Sequence, residues 1–301
     1  MLLAGKKIAL GIDIGGTRIK TVAFAAPSTV IAEHRIDSDA KYGPEAVRKA
    51  VQVAVDYYHR AGIEFSSVGL GCAGSVCPKT GVVLNSPNFS QWKNVPLKEW
   101  AETDFGKPAS VDNDANCAMF TEWKLGSAAG TNNAILLTFG TGVGGGLIIN
   151  RQLYTGSTGS AGELGHFSIH ADGIQCSCGN TGCFERYCSA SALERMLPGY
   201  TAKEIFARAA AGEEPYRQYI QKFLSYLKIG VTSMANVFDP DVILVGGGLS
   251  QGIVPYLSDI QKWIQDHAFP AVGQKTQIIP TKYGNQSGAI GAALLSLEIK
   301  N

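Results

Sequence analysis

The sequence predicts an α/β protein built as two similar lobes. Two segments, KIALGIDIGGTRIKTVAF (Lys7 to Phe24) and NAILLTFGTGVGGGLIIN (Asn133 to Asn150), share one design: an apolar β-rich run, a tight Gly/Thr turn and a second apolar run. That pattern is a hairpin. Helices alternating with strands follow each hairpin, so the chain reads as internally duplicated, with a cleft expected between the lobes. Its 301 residues are enough for two such cores, and no linker-like or low-complexity stretch marks a third domain.

The elements between the hairpins follow in order. GPEAVRKAVQVAVDYYHRAG carries apolar residues at helical spacing, SVGLGCAG reads as a buried strand, and PASVDNDANCAMFTEWKLG passes from a short strand into a helix. In the second half YRQYIQKFLSYLKIGVTSMANVF predicts a long helix, DVILVGGG the strand after it, and SGAIGAALLSLEI a closing apolar helix.

A net charge of +1, with 17% charged residues, gives no basic field for nucleic acid and no acidic tail. The ligand expected is small and locally recognised. At the start, MLLAGKKIALGIDIGG has two lysines breaking a short apolar run, which fits a first strand better than a signal peptide. Nothing approaches the roughly 18 unbroken apolar residues of a membrane span, and a cytoplasmic protein is expected. Three of the seven cysteines fall close together, at Cys176, Cys178 and Cys183. In a reducing compartment such clustering points to metal, whereas Cys72, Cys77, Cys117 and Cys188 read as buried free thiols.

GTGVGG, from Gly140, contains the G-x-G-x-x-G spacing, but a dinucleotide turn must open a helix and the residues that follow are strand-like. A Walker A sequence is absent. What remains is a glycine and threonine turn whose backbone N–H groups can converge on anionic oxygens. DIGGT (Asp13 to Thr17) is a second such turn, and the two together would cradle a polyphosphate. Either one alone is equally an ordinary hairpin turn.

The DIGGT turn, the duplicated lobes and the VGGG strand end resemble the actin-like ATPase and sugar kinase superfamily. The resemblance implies a two-lobed actin-like ATPase (ribonuclease H-like) fold in which both turns hold ATP phosphates. It assigns Asp13, Gly15, Gly16, Thr17, Lys20, Thr141 and Gly142 to the nucleotide. Asp13 would help organise Mg²⁺, and Gly246, Gly247 and Gly248 would lie against the adenosine. It also places residues 1–115 with 287–301 in one lobe and 116–286, carrying the cysteines, in the other.

VDNDANCAM sets Asp112, Asn113 and Asp114 at the mouth of a helix. Local sequence leaves two readings open, a cap for the helix or a base for phosphoryl transfer. NDAN resembles the same segment in sugar kinases of the ROK family, named for repressors, open reading frames and kinases. That match makes Asp114 the general base for a sugar hydroxyl and has Asn113 donate and accept hydrogen bonds to neighbouring hydroxyls. GCAGSV (Gly71 to Val76) and SPNFSQW (Ser86 to Trp92) resemble the family's other sugar-facing loops, with Gly74 and Asn88 as contacts; Ala73 stands where the family usually has proline.

His166 lies ten residues before Cys176. Three thiolates and an imidazole complete a tetrahedral shell, the mark of a structural zinc site, since a catalytic zinc keeps one position open. A zinc hydrolase is disfavoured on the same ground. E-x-x-H followed by C-x-C-G-x-x-G-C-x-E resembles the ROK signature at every fixed position, and the resemblance gives Glu163, His166 and Glu185 the task of binding sugar hydroxyls. The imidazole would serve zinc through one nitrogen and sugar through the other.

Taken together, the resemblance implies an ATP-dependent kinase for the 6-hydroxyl of glucose or a close relative, using Mg²⁺ for chemistry and Zn²⁺ for structure. N-acetylmannosamine, allose and fructose fit the same residues. Sugar-sensing repressors share the fold but place a winged helix-turn-helix ahead of the first hairpin, and here twelve residues precede Asp13. By the same resemblance the expected assembly is a homodimer or homotetramer, with sugar and ATP as partners and neither nucleic acid nor membrane.

Overall fold

The computed structural model of the chain describes residues 6–86, 89 and 91–299. Two compact units emerge: Met1–Leu125 with Leu153–Ala161 and Asn285–Asn301, and Gly126–Gln152 with Gly162–Gly284. The boundary expected at residue 115 falls one helix before this division.

In the first unit β1 (Ile8–Ile14), β2 (Arg18–Ala25) and β3 (Thr29–Asp37) form an antiparallel meander. After α1 (Pro44–Arg60), β4 (Ser67–Cys72) lies parallel to β1. Three short strands, β5 (Ser75–Val76), β6 (Val83–Asn85) and β7 (Lys93–Val95), make a separate antiparallel sheet. Then come α2 (Leu97–Phe105), β8 (Ala109–Asn113), which is parallel to β4, and α3 (Asp114–Leu125). The main sheet runs β3-β2-β1-β4-β8.

The second unit repeats that plan. Strands β9 (Ala134–Phe139) and β10 (Val143–Ile149) are antiparallel, and β11 (Gln152–Leu153) forms the sheet edge. Helices α4 (Glu185–Cys188), α5 (Ala190–Met196), α6 (Ala202–Ala210) and α7 (Tyr216–Phe238) precede β12 (Val242–Gly246), which is parallel to β9. Helices α8 (Ser250–Ile253), α9 (Leu257–His267) and α10 (Pro270–Lys275) lead to β13 (Gln277–Pro280), giving the order β11-β10-β9-β12-β13. Both sheets thus place the hairpin strands on one side and the parallel strands on the other. The last helix, α11 (Ser287–Leu297), belongs to the first unit.

Local chemistry accounts for the long elements. Pro44 starts α1 with its φ already helical, Glu45 and the His59–Arg60 pair suit the two ends of the helix dipole, and Val47, Val51, Ala54, Val55 and Tyr58 form its buried stripe. In α7 the same spacing buries Ile220, Phe223, Leu224, Leu227, Val231 and Met234. No helix among the described residues is long and apolar enough to cross a membrane.

Alternation along β1 and β4 separates two faces of the first sheet. Leu10, Ile12, Ile14, Val68 and Leu70 join the core that includes α1. On the opposite face the intervening residues Gly11 and Gly69 lie under α11, where a methyl on either would overlap a helix carbonyl, that of Ala289 or Ala292. Helix α11 touches α3 as closely: a methyl at Gly291 would overlap the Cys117 carbonyl, and Thr121 Oγ1 donates to Ser287 O at 2.6 Å. Such backbone approach leaves no room for growth. Gly291→Ala is expected to cost about 2–3 kcal/mol of stability in denaturant unfolding, and wild-type stability would refute the close fit.

Candidate functional site

Parallel strands end where open α/β sheets bind ligands, and the first unit concentrates polar groups there. Asp13, Gly71 and Asp112 are register partners across β1, β4 and β8. The Asp13 side chain is 14% exposed and faces Lys20 Nζ at 3.2 Å, its cross-strand partner on β2. Burial lifts the Asp13 pKa, and Lys20 pulls it back. In the turn between them Gly15 N–H donates to Arg18 O at 3.0 Å. Ser38 ties the turn down through its N–H to Thr17 O and its hydroxyl to Gly16 O, both at 3.0 Å. Gly16 and Thr17 themselves are exposed.

At the β8–α3 junction the cap is Asn113. Its Oδ1 accepts the Ala115 and Asn116 N–H groups at 2.8 and 3.2 Å, and its Nδ2 donates to Gly74 O at 3.1 Å. The amide therefore keeps one N–H for a ligand, a narrower role than donor and acceptor together. Gly74 holds φ at +116, and a side chain there would overlap Asn85 O; Ala73, beside it, is buried. Asp112 uses Oδ1 within the chain, accepting Asn113 N–H at 2.7 Å and Asn116 Nδ2 at 2.8 Å, and burial raises its pKa. Asp114 opens α3 half-buried, with Oδ1 accepting Ala115 N–H at 2.9 Å. Asn88 lies outside the described residues.

The second unit gathers the cysteine motif. Ligand atoms of His166, Cys176, Cys178 and Cys183 all lie within 4.8 Å of one another; Cys176 Sγ is 3.6 Å from His166 Nδ1, and Cys178 Sγ is 3.6 Å from Cys183 Sγ. Zn–S bonds of about 2.3 Å set tetrahedral ligands about 3.8 Å apart, so the donor set fits zinc. Without metal, burial pushes the Cys183 thiol up to about 12, whereas the Asn180 backbone N–H lowers that of Cys178. Tyr187, which the sequence gives no reason to single out, braces the loop by accepting the Ile174 N–H at 2.8 Å.

Three groups stand on this base. His166 turns Nδ1 toward the cysteines and Nε2 toward Glu163, whose Oε2 is 3.9 Å away. Burial raises the Glu163 pKa, with His166 opposing and Glu185 adding to the rise. Glu185 opens α4, and its Oε2 accepts the Val143 N–H at 2.8 Å, just after the Gly140–Gly142 turn. Sequence gave no sign of that bond between residues 42 apart.

The VGGG end meets the same turn from the other side. Gly246 pairs with Thr138 where β12 runs beside β9, Leu249 N–H donates to Phe139 O at 2.9 Å, and a side chain at Gly247, where φ is +84, would overlap Phe139 O. Thr141, Gly142, Gly246, Gly247 and Gly248 thus gather at one end of the β9–β12 pair, with Gly142 against Glu185. The β9–β10 turn of the second sheet thus lies against a carboxylate, Glu185, that follows a cluster able to hold a metal.

Comparison with known proteins fits this arrangement. A family model described as the ROK family matches residues 9–299. A glucokinase of Streptomyces coelicolor is 32% identical, over 97% of this chain and 98% of its own length. A xylose repressor of Bacillus spizizenii is 29% identical, over 99% of this chain and 79% of the repressor. The crystal structure of a ROK family glucokinase from Streptomyces griseus in complex with glucose and AMPPNP aligns with a TM-score of 0.84 at 29% identity, covering 97% of this chain and 100% of that one. The family match spans both units and every motif described above, and the chain belongs to the ROK family.

Proposed function

We propose that the chain is a sugar kinase that transfers the γ-phosphoryl group of ATP to the 6-hydroxyl of glucose or a closely related hexose. The observation that carries this reading is the carboxylate row at the strand ends of the first unit: Asp13 and Asp112 in register, with Asp114 at the head of α3. Phosphoryl transfer needs a metal organiser near the phosphates and a base at the acceptor hydroxyl. Asp13, a mostly buried carboxylate whose charge Lys20 only partly offsets, suits Mg²⁺, which when bound would neutralise phosphate charge. Asp114 accepts the proton of the 6-hydroxyl as its oxygen attacks phosphorus, and Asn113 donates its remaining N–H to a neighbouring hydroxyl.

In the second unit Glu163, His166 Nε2 and Glu185 hold hydroxyls toward the anomeric end of the sugar. The Thr141–Gly142 turn takes phosphate oxygens, as do Gly15, Gly16, Thr17 and Lys20, and Gly246–Gly248 lie against the adenosine. Zinc in the cysteine cluster is structural, fixing the backbone that carries Glu163 and Glu185. The glucokinase similarities support this assignment.

The test is ADP release from Mg-ATP with glucose, mannose, fructose, allose, N-acetylglucosamine and N-acetylmannosamine. Strong release with one sugar is expected. Absence of turnover with every sugar, in a folded and zinc-loaded protein, sinks the kinase reading. The xylose repressor similarity supports a second reading, a sugar-sensing regulator, which calorimetry would reveal as sugar binding without ADP release. A homodimer or homotetramer is proposed for the assembly, and sedimentation equilibrium at the monomer mass would overturn it.

A further inference from the structure

The Gly140–Gly142 turn contains two glycines with different reasons to be glycine. A methyl on Gly140 would meet nothing within 4 Å. A methyl on Gly142 would overlap Glu185 Oε2 and lie 3.0 Å from its carboxyl carbon. Gly142 is not among the residues with positive φ, so its backbone accepts any side chain. A side chain there would displace the end of the Glu185 side chain, a carboxylate from the cysteine motif.

The carboxylate is there because Val143 N–H holds it, at 2.8 Å. One oxygen of Glu185 is thereby held before any ligand arrives, and Oε1 accepts no hydrogen bond among the described residues. A side chain immobilised in advance loses less freedom on binding. We infer that Gly142, in a turn whose expected partner is phosphate, is a positioning residue for the sugar: it makes room for Glu185 to be seated by Val143 N–H in the orientation that binds a sugar hydroxyl. This rests on the kinase reading in one respect, that Glu185 binds sugar.

The seat also divides the labour of the turn. The Val143 N–H serves Glu185, so phosphate oxygens are left to the N–H groups of Thr141 and Gly142. Sugar recognition and phosphate recognition then share one peptide segment, and a change made for one is felt by the other.

The experiment measures sugar affinity with no nucleotide present. Zinc-loaded full-length wild type, Gly142→Ala, Glu185→Ala and the double variant are titrated calorimetrically with each sugar of the panel above. Gly142→Ala is expected to weaken binding about tenfold, equivalent to about 1.4 kcal/mol. Adding it to Glu185→Ala is expected to cost nothing more, because two residues acting through one contact are not additive. General damage to the turn would instead subtract in both backgrounds.

Unchanged affinity in Gly142→Ala, or additive losses in the double variant, overturns the inference while leaving the kinase reading intact. Failure of wild type to bind any sugar overturns the kinase reading, and the inference with it. Should Gly142→Ala lose its zinc, the wild-type Val143 amide resonance decides. Sugar alone must shift it, and an unmoved resonance overturns the proposal.

Discussion

Asp114→Asn abolishes turnover in a protein that still folds. General base catalysis contributes about 10²–10⁴ in rate, so kcat for ADP release should fall by about 10³. Asparagine keeps the shape and an oxygen that can accept the Ala115 N–H. Stability should therefore change only by the lost attraction between a carboxylate and the start of α3, about 0.3–1 kcal/mol. Asp112 gives the contrast. Its Oδ1 accepts both Asn113 N–H and the Asn116 amide; substituting it disturbs a buried network, so instability rather than clean inactivation should follow. Coupled assay and thermal melting together separate the two, and a kcat for Asp114→Asn within tenfold of wild type would remove it as the base.

Cys183→Ser is expected to remove both the zinc and the sugar. Cys183 is fully buried, its backbone pairs with Ser168 in an isolated bridge, and its Sγ lies 3.6 Å from Cys178 Sγ and 3.3 Å from His166 O. Metal analysis of wild type should find one zinc per chain, and of the variant none. Loss of the cluster unfixes the segment holding Glu163 and Glu185, and activity should fall at least about 10²-fold, the upper range for disrupted metal surroundings. Zinc retention should also depend on pH. Thiols must lose protons to bind metal, and the Cys183 thiol is pushed up to about 12 without it; affinity should rise with pH and fall as protons compete below neutrality. Full activity in a zinc-free variant would show that the cluster does not support the site.

The parts of the fold that were legible in the sequence were those with a strong period. The hairpins, α1 and α7 carry apolar residues at two- or 3.6-residue spacing, and β4 is buried along its whole length. Short strands such as β5, β7 and β13 have too few residues to express a period. Glycines misled in a different way. Nothing local marks Gly11 and Gly69, yet they are the floor on which α11 rests, and only a contact across more than 200 residues explains them.

In the site, motif spacing found the cysteine cluster because its ligands are local. The cap at Asn113 was not chosen from Asp112 and Asp114, since three polar residues in succession fit the same position. The seating of Glu185 depends on chain folding between residues far apart in sequence, which no local pattern encodes.

The placement of α11 has a consequence for how the chain is made. A domain usually folds as it leaves the ribosome, N-terminal part first. Here the first unit waits for α11, which is synthesised after the entire second unit and on the order of ten seconds after α3. Until then Gly11 and Gly69 expose a bare stretch of sheet, and the helix that Asp114 leads lacks its packing against α11. A chain released before Ser287 thus lacks the helix that packs behind Asp13 and against the helix that Asp114 leads.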